Sequence, residues 1–102
     1  MTTKFESVES AKNYAAYLAG VDPKTTEFVE DSRLKVEDMS STLINDSKVS
    51  KKTKKEIHDQ IAAQKGFRFK DKNGKELQIV IGPLRDGFDL WLVGPNRWPQ
   101  QV

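Results

Sequence analysis

The sequence contains no cysteine and only one histidine. Without cysteine the chain can form no disulfide bond, no thiolate nucleophile and no thiolate zinc site. The histidine, His58, has no second histidine or cysteine with which to bind a metal ion or activate a nucleophile, so we interpret it as a solvated side chain on a helix. We therefore expect a protein that is not an enzyme and that holds neither a metal nor a cofactor.

Other patterns typical of catalytic or nucleotide-binding sites are also missing. The six glycines are scattered and form no glycine-rich phosphate-binding fingerprint. The adjacent acidic pairs Glu30-Asp31 and Glu37-Asp38 point apart if they lie on a helix, as solvated charges do. They therefore do not indicate a paired general acid and base.

Long apolar runs are absent too. No stretch approaches the roughly 20 apolar residues that span a bilayer. The first residues, Met1 to Glu6, include no apolar segment typical of a signal peptide. We therefore expect a cytoplasmic protein.

The chain of 102 residues is long enough for one hydrophobic core and too short for two, so we expect a single domain. Hydrophobic residues at 36% and charged residues at 31% are on the polar side for a globular protein, yet the aromatic residues, at 9%, exceed what disordered segments carry and predict a folded protein with a heavily charged surface. The charge is uneven, because residues 1–46 carry a net charge of −4 and residues 47–102 a net charge of +6.

Helix signals fill the first two thirds of the sequence. Apolar spacing predicts a first helix over residues 7–19, ended by Gly20 in a left-handed conformation. A last helix is predicted over residues 51–65, with Ser50 as its N-cap and Gly66 at its end. Four lysines crowd the first turns of this last helix, where the helix dipole disfavours cations.

A middle helix is predicted from Asp22-Pro23, which resembles an N-cap followed by proline at the first helical position. Apolar or small residues from Phe28 onwards recur in steps of three and four. The pattern fits either one helix over residues 23–44 or two shorter helices broken near Ser32-Arg33.

From Phe67 the apolar period changes to two, which predicts strands. A three-residue loop, Lys72-Asn73-Gly74, with Gly74 left-handed, would pair Phe69 with Leu77 and keep both faces of the hairpin coherent. A second hairpin is predicted at Asp86-Gly87. The register of this second hairpin is predicted to pair Ile81 with Leu92, Val80 with Val93 and Gly82 with Trp91. Irregular pairing is expected beyond Ile81 because Gly82-Pro83 interrupts the strand.

These signals together predict the α+β class, with two or three N-terminal helices packed on one face of a C-terminal three-stranded antiparallel β-meander. Residues 1–102 form the single domain, with a helical part at about 7–65, the meander at about 67–93 and a tail at 94–102.

Strand alternation leaves an apolar cluster of Val80, Trp91 and Val93 on the sheet face away from the core. Either a helix or the tail covers this cluster, or the cluster binds a partner. Tryptophan and arginine are enriched at interface hot spots, so the second alternative predicts a non-enzymatic module that regulates or inhibits a larger intracellular macromolecule by protein–protein interaction. The candidate partner-binding residues are Arg68, Val80, Trp91, Val93, Arg97 and Trp98.

Two further hypotheses remain open. The lysine-rich segment 48–72 could contact phosphates and make the protein a nucleic-acid binder. No membrane partner is expected. The unpaired edges of the meander could allow self-association as a structural subunit. The candidate nucleic-acid-binding residues are Lys48, Lys51, Lys52, Lys54, Lys55, Lys65, Lys70 and Lys72.

Overall fold

A computed structural model describes residues 3–36, 50–84, 86–93 and 100–102. The strands form one antiparallel sheet in the order β1-β2-β3-β4-β5, so the α+β class is confirmed. In chain order the elements are α1 (Val8–Ala19), β1 (Val29–Glu30), α2 (Lys51–Ala62), β2 (Lys65–Lys70), β3 (Glu76–Leu84), β4 (Gly87–Val93) and β5 (Gln100–Gln101).

Helix α1 forms as its sequence predicts. The Ser7 hydroxyl accepts the Ser10 N–H and caps the first turn, while Gly20 adopts φ 75° and donates its N–H to the carbonyls of Ala16 and Tyr17. The small residues Ala11 and Ala15 are buried, which lets the helix approach the sheet closely.

The core lies between α1 and one face of the sheet, which we call the first face. Alternate residues of three neighbouring strands point into it, as the period of two requires. Partly buried side chains, among them Phe28 and Phe88, close its margin. The core cluster comprises Phe5, Ala11, Ala15, Phe67, Phe69, Ile79, Ile81 and Leu90.

The hairpin between β2 and β3 has the predicted register, with Phe69 opposite Leu77. Gly74 adopts φ 81° in the three-residue loop. The Asp71 carboxylate stabilises this loop because its Oδ1 accepts the N–H groups of Asn73 and Lys75, each at 2.9 Å.

The predicted register of the second hairpin is wrong by two residues. Val80 lies opposite Trp91, Ile81 opposite Leu90 and Leu84 opposite Gly87. A shift of two keeps every side chain on its predicted face. Gly87 belongs to the strand rather than the turn, and a Cβ there would lie 2.7 Å from the Phe5 carbonyl oxygen. The approach of the N-terminal segment therefore requires this glycine.

The expected irregular pairing beyond Ile81 is also wrong, because β3 pairs regularly through Pro83 to Leu84. Pro83 lies opposite Phe88, whose N–H and carbonyl are both hydrogen-bonded to Phe5 at 2.9 Å on the other side of β4. Phe88 therefore requires no donor from Pro83, and the sheet accommodates the proline without a lost hydrogen bond on that side.

The predicted middle helix does not form over residues 23–36, which contain a turn followed by β1. Phe28 packs against Phe69 on the first face, with ring centroids 4.8 Å apart. Val36 is buried beside Trp91 on the opposite face. The apolar residues spaced three and four apart therefore do not mark a helix. They belong to a segment that passes around the edge of the sheet and buries side chains on both faces. The rest of the predicted helix, residues 37–44, lies outside the described residues.

Helix α2 packs against the opposite face, which we call the second face. The prediction that the helices pack on one face of the sheet is therefore wrong, because α1 and α2 lie on opposite faces. The helix count and the three-stranded meander are not matched either: the described part of the chain has two helices, and the sheet has five strands. Helix α2 ends at Ala62, and Gly66 lies within β2 rather than after the helix.

The outer edge of β4 is paired by both ends of the described chain. Residues Gln100 and Gln101 form β5 beside Leu92 and Trp91. The N-terminal segment continues this edge, because Phe5 bridges to Phe88 and the Thr3 N–H donates to the Val102 carbonyl at 3.0 Å. The predicted tail thus contributes a strand at residues 100–101.

Candidate protein-binding surface

The second face is covered over one half and open over the other. Over the covered half, α2 and the segment ending at Val36 lie above Val80, which is fully buried. A cleft of about 220 Å³ remains between Val36, Ile61 and Trp91, so Trp91 is half-buried at the boundary of the cover.

The cover is held by polar contacts at one end of α2. Lys35 Nζ donates to the carbonyls of Ala62 at 3.2 Å and Gln64 at 2.6 Å, a favourable place for a cation because helix carbonyls are unsatisfied there. The Val36 N–H donates to Gln64 Oε1 at 2.8 Å. No residue of α2 itself is buried, so these contacts hold a helix that packs weakly.

A buried carboxylate lies under this cover. Asp89 Oδ1 accepts the Gly82 N–H at 2.9 Å, and Oδ2 lies 3.4 Å from Gln101 Nε2. A Cβ at position 82 would lie 2.6 Å from that Oδ1, so glycine is required for the contact. Asp89 therefore links β3, β4 and β5 beneath α2.

Among the described residues, no helix lies above the other half of the second face, which we call the open half. Strand pairing aligns Val29, Arg68, Gln78 and Val93 across four strands, and Lys70 pairs with Glu76 in the next row. None of these six side chains is buried. Two valines at the ends of a row that also contains an arginine give the open half a mixed apolar and charged character.

Arg68 is held by two ion pairs on the open half. Its Nε lies 2.8 Å from Asp31 Oδ2, and its Nη1 lies 3.5 Å from the Glu76 carboxylate. Asp31 is itself fixed, because its Oδ1 accepts the Arg33 N–H at 2.9 Å. The guanidinium is held between two carboxylates while about a third of its side chain, 32%, stays exposed.

These contacts also shift the ionisation of the pair. The pKa of Asp31 falls from 3.8 to about 2, mainly because its carboxylate accepts the Arg33 N–H and then because it accepts the Arg68 side chain. The hydrogen bond to Asp31 raises the pKa of Arg68. Both groups therefore stay charged over the ordinary pH range, and the arginine is preorganised.

A groove of about 460 Å³ adjoins the open half along the β1 edge of the sheet. It forms because β1 begins only at Val29, opposite Arg68, whereas β2 continues beyond Arg68 to Lys70. The strand of only two residues leaves little edge for pairing, which reduces the scope for self-association there. The groove is lined by Thr25, Thr26, Glu27, Val29, Arg68, Phe69, Lys70 and Glu76.

The predicted partner-binding residues are separated by the fold. Arg68 and Val93 lie on the open half, and Trp91 lies at its boundary with the cover. Val80 is fully buried, which is the covered alternative for this residue of the apolar cluster. Arg97 and Trp98 lie outside the described residues.

The predicted nucleic-acid-binding lysines do not form one surface in the described residues. The lysines of α2 lie over the covered half, and Lys70 lies on the open half. Lys72 instead lies beside Gly20, where a Cβ would be 3.4 Å from its Cδ, at the end of α1. Lys48 lies outside the described residues. The α2 group comprises Lys51, Lys52 and Lys55, which are exposed, and Lys54, which is half-buried.

Sequence reasoning missed Val29 and Asp31 because it placed both on a helix. The signal that could have found them is Asp31-Ser32-Arg33, in which the aspartate side chain accepts the N–H two residues later, as in an Asx turn. Such a turn favours a chain reversal at this position over a continuous helix.

Within residues 3–36, 50–84, 86–93 and 100–102, no cluster of three histidine or acidic side chains could hold a metal ion. In the same ranges, no helix has the length and apolar character needed to cross a bilayer. Comparison of the chain with protein-family models, with curated proteins and with solved structures found no match.

Proposed function

We propose that this chain is a small, non-enzymatic protein-binding module that regulates or inhibits a larger intracellular macromolecule through the open half of its second face. Arg68, Val29 and Val93 are the central contacts, and Trp91 borders them. Trp98 and Arg97 remain candidate contacts from the sequence.

The observation that carries this proposal is the state of Arg68. Asp31 and Glu76 hold the guanidinium in place, so little side-chain entropy is lost when a partner packs on it. Val29 supplies apolar area in the same row and is 52% exposed. Arginine is one of the three residue types most enriched at hot spots.

The test compares two arginines that both contact Asp31. Arg68 lies on the open half, whereas the side chain of Arg33 is 86% exposed and lies off the sheet. Partners would be captured from a nuclease-treated lysate, identified by mass spectrometry and purified for calorimetry. We expect Arg68→Ala and Val29→Glu to weaken binding by at least about tenfold, and Arg33→Ala to leave it unchanged.

Circular dichroism of each variant controls for unfolding. Equal affinity of the wild type, Arg68→Ala and Val29→Glu for every captured protein would contradict the proposal. Capture that disappears on nuclease treatment would point instead to nucleic acid.

Nucleic-acid binding is the second candidate function, and α2 favours it. The helix presents four lysines within its first five residues. A duplex would be bound through its phosphates, so affinity would fall steeply with salt. A fluorescence titration with duplex and single-stranded DNA and RNA at ~50 mM salt tests this candidate. Replacing Lys51, Lys52 and Lys55 together by glutamine should abolish binding, and no binding by the wild type would exclude the candidate.

A further inference from the structure

Among the described residues, four of the five large apolar side chains that are exposed lie on one flank of α1 or on the neighbouring strand β4. Tyr17 is 76% exposed, Leu18 48% and Tyr14 38%, and Leu92 of β4 is 38% exposed on the same side of the sheet. We call these four residues the α1 patch. The fifth large exposed apolar side chain, Val29, lies on the second face.

The fold places the members of the α1 patch next to one another. Lys12 turns toward β2, with its Nζ 4.4 Å from the centre of the Phe67 ring, so Tyr14 and Leu18 lie on the opposite flank, toward β4. Tyr14 packs against Phe5, which bridges to β4, with ring centroids 5.5 Å apart. The rings of Tyr14 and Tyr17 are 6.2 Å apart, and α1 ends at the same end of the sheet as Leu92.

The α1 patch lacks charge, which is unusual for a chain with 31% charged residues. Between Ser10 and Gly20 the only charged side chain is Lys12, which lies on the other flank. Beside Leu92, the paired strand β5 is formed by Gln100 and Gln101. Depletion of charge together with tyrosine enrichment is the composition of the centre of protein interfaces.

We propose that the α1 patch is a homodimer interface, in which two copies of this chain meet across a twofold axis. A twofold interface brings a surface against itself, so it must be self-complementary. The uncharged α1 patch satisfies this condition, because no like charges are buried when it meets its copy. A strongly charged partner would find no opposite charge there.

The size of the α1 patch sets the expected strength of the dimer. A fully covered aromatic side chain buries ~150–250 Å², and only Tyr17 is mostly uncovered in the single chain. Two such patches fall at the low end of interface sizes, below about 1,200 Å² in total. The dimer is therefore expected to be weak and reversible.

Sedimentation velocity from about 5 μM to 1 mM tests the proposal. We expect the wild type to shift from monomer to dimer, and Tyr17→Glu or Leu18→Glu to stay monomeric. Val29→Glu is the matched control, because it places the same charge at an exposed apolar position on the second face. A wild type that is monomeric at 1 mM, or a dimer that survives Tyr17→Glu, would overturn the interface.

The absence of cysteine allows a second test that does not depend on destabilising the interface. Oxidised Tyr17→Cys should form a disulfide-linked dimer at least about tenfold faster than oxidised Val29→Cys at the same concentration. Equal rates for the two variants would contradict a twofold axis at Tyr17. The dimer does not rest on the proposed function, since Val29→Glu probes the open half and Tyr17→Glu probes the α1 patch.

Discussion

The two helices cover the same sheet from opposite sides and do so very differently. Helix α1 buries three alanines and packs on a continuous core of aromatic and aliphatic side chains. Helix α2 has the same length of 12 residues but buries none of them, and it is attached mainly at its end by Lys35 and Gln64. We therefore expect the first face to supply most of the stability, whereas the described residues leave part of the second face uncovered.

The largest expected difference between the two faces is in the cost of truncating a side chain. Leu90 of the first face is fully buried, so Leu90→Ala should lower the free energy of unfolding by about 2–5 kcal/mol. Ile61 of α2 is only half-buried, and Ile61→Ala should cost about 1 kcal/mol or less. Urea denaturation measures both, and equal costs would break the comparison.

The next largest effect is expected at Gly66, where residues 31–34 pass close to β2. A Cβ at this position would overlap the Leu34 Cβ and lie 2.8 Å from the Asp31 carbonyl oxygen. Gly66→Ala should therefore cost about 1–3 kcal/mol through overpacking. The neighbouring exposed Lys65→Ala should change stability by less than about 0.5 kcal/mol. A neutral Gly66→Ala would mean that residues 31–34 do not pack closely on β2.

Hydrogen exchange should show the same contrast without any mutation. A helix that buries no residue gains little from tertiary packing, and a 12-residue helix is marginal by itself. We expect the α2 amides to exchange at least about tenfold faster than those of α1. Lys35→Ala should increase the α2 rates further and leave α1 unchanged. Equal protection of the two helices would contradict a weakly attached cover.

The smallest effect concerns acid. The pKa of Asp31 is lower in the folded chain, at about 2, than its ordinary value of 3.8. The carboxylate therefore contributes stability that is complete above about pH 4 and is lost as the pH falls toward about 2. Asp31→Asn should lose less stability than the wild type between about pH 5 and pH 2 in urea titrations. Parallel pH profiles would show that the contacts of Asp31 do not favour its charged form.

The features that could be predicted from sequence are those fixed by neighbouring residues. Ser7 and Gly20 bound α1, and the Lys72-Asn73-Gly74 loop sets the β2–β3 register, because caps and tight loops depend on local backbone geometry. Strand alternation likewise placed Leu90 in the core and Arg68 on the second face.

The features that could not be predicted depend on residues distant in sequence. Asp86-Gly87 resembles a hairpin turn, yet Gly87 is required by the backbone of Phe5, which lies far away along the chain. The spacing of Phe28 and Val36 resembles a helix, yet these residues serve opposite faces of the sheet. The ion pair between Asp31 and Arg68, on which the candidate surface depends, joins segments that local patterns cannot connect.

The pairing of both chain ends with β4 has a practical consequence for engineering. Because the Thr3 N–H and the Val102 carbonyl are only 3.0 Å apart, a linker of a few residues could join positions 3 and 102. New ends could then be opened in the exposed loop at Asn73. Such a circularly permuted chain would keep every strand neighbour, but β3 and β4 would be synthesised before α1, and β2 would be synthesised last.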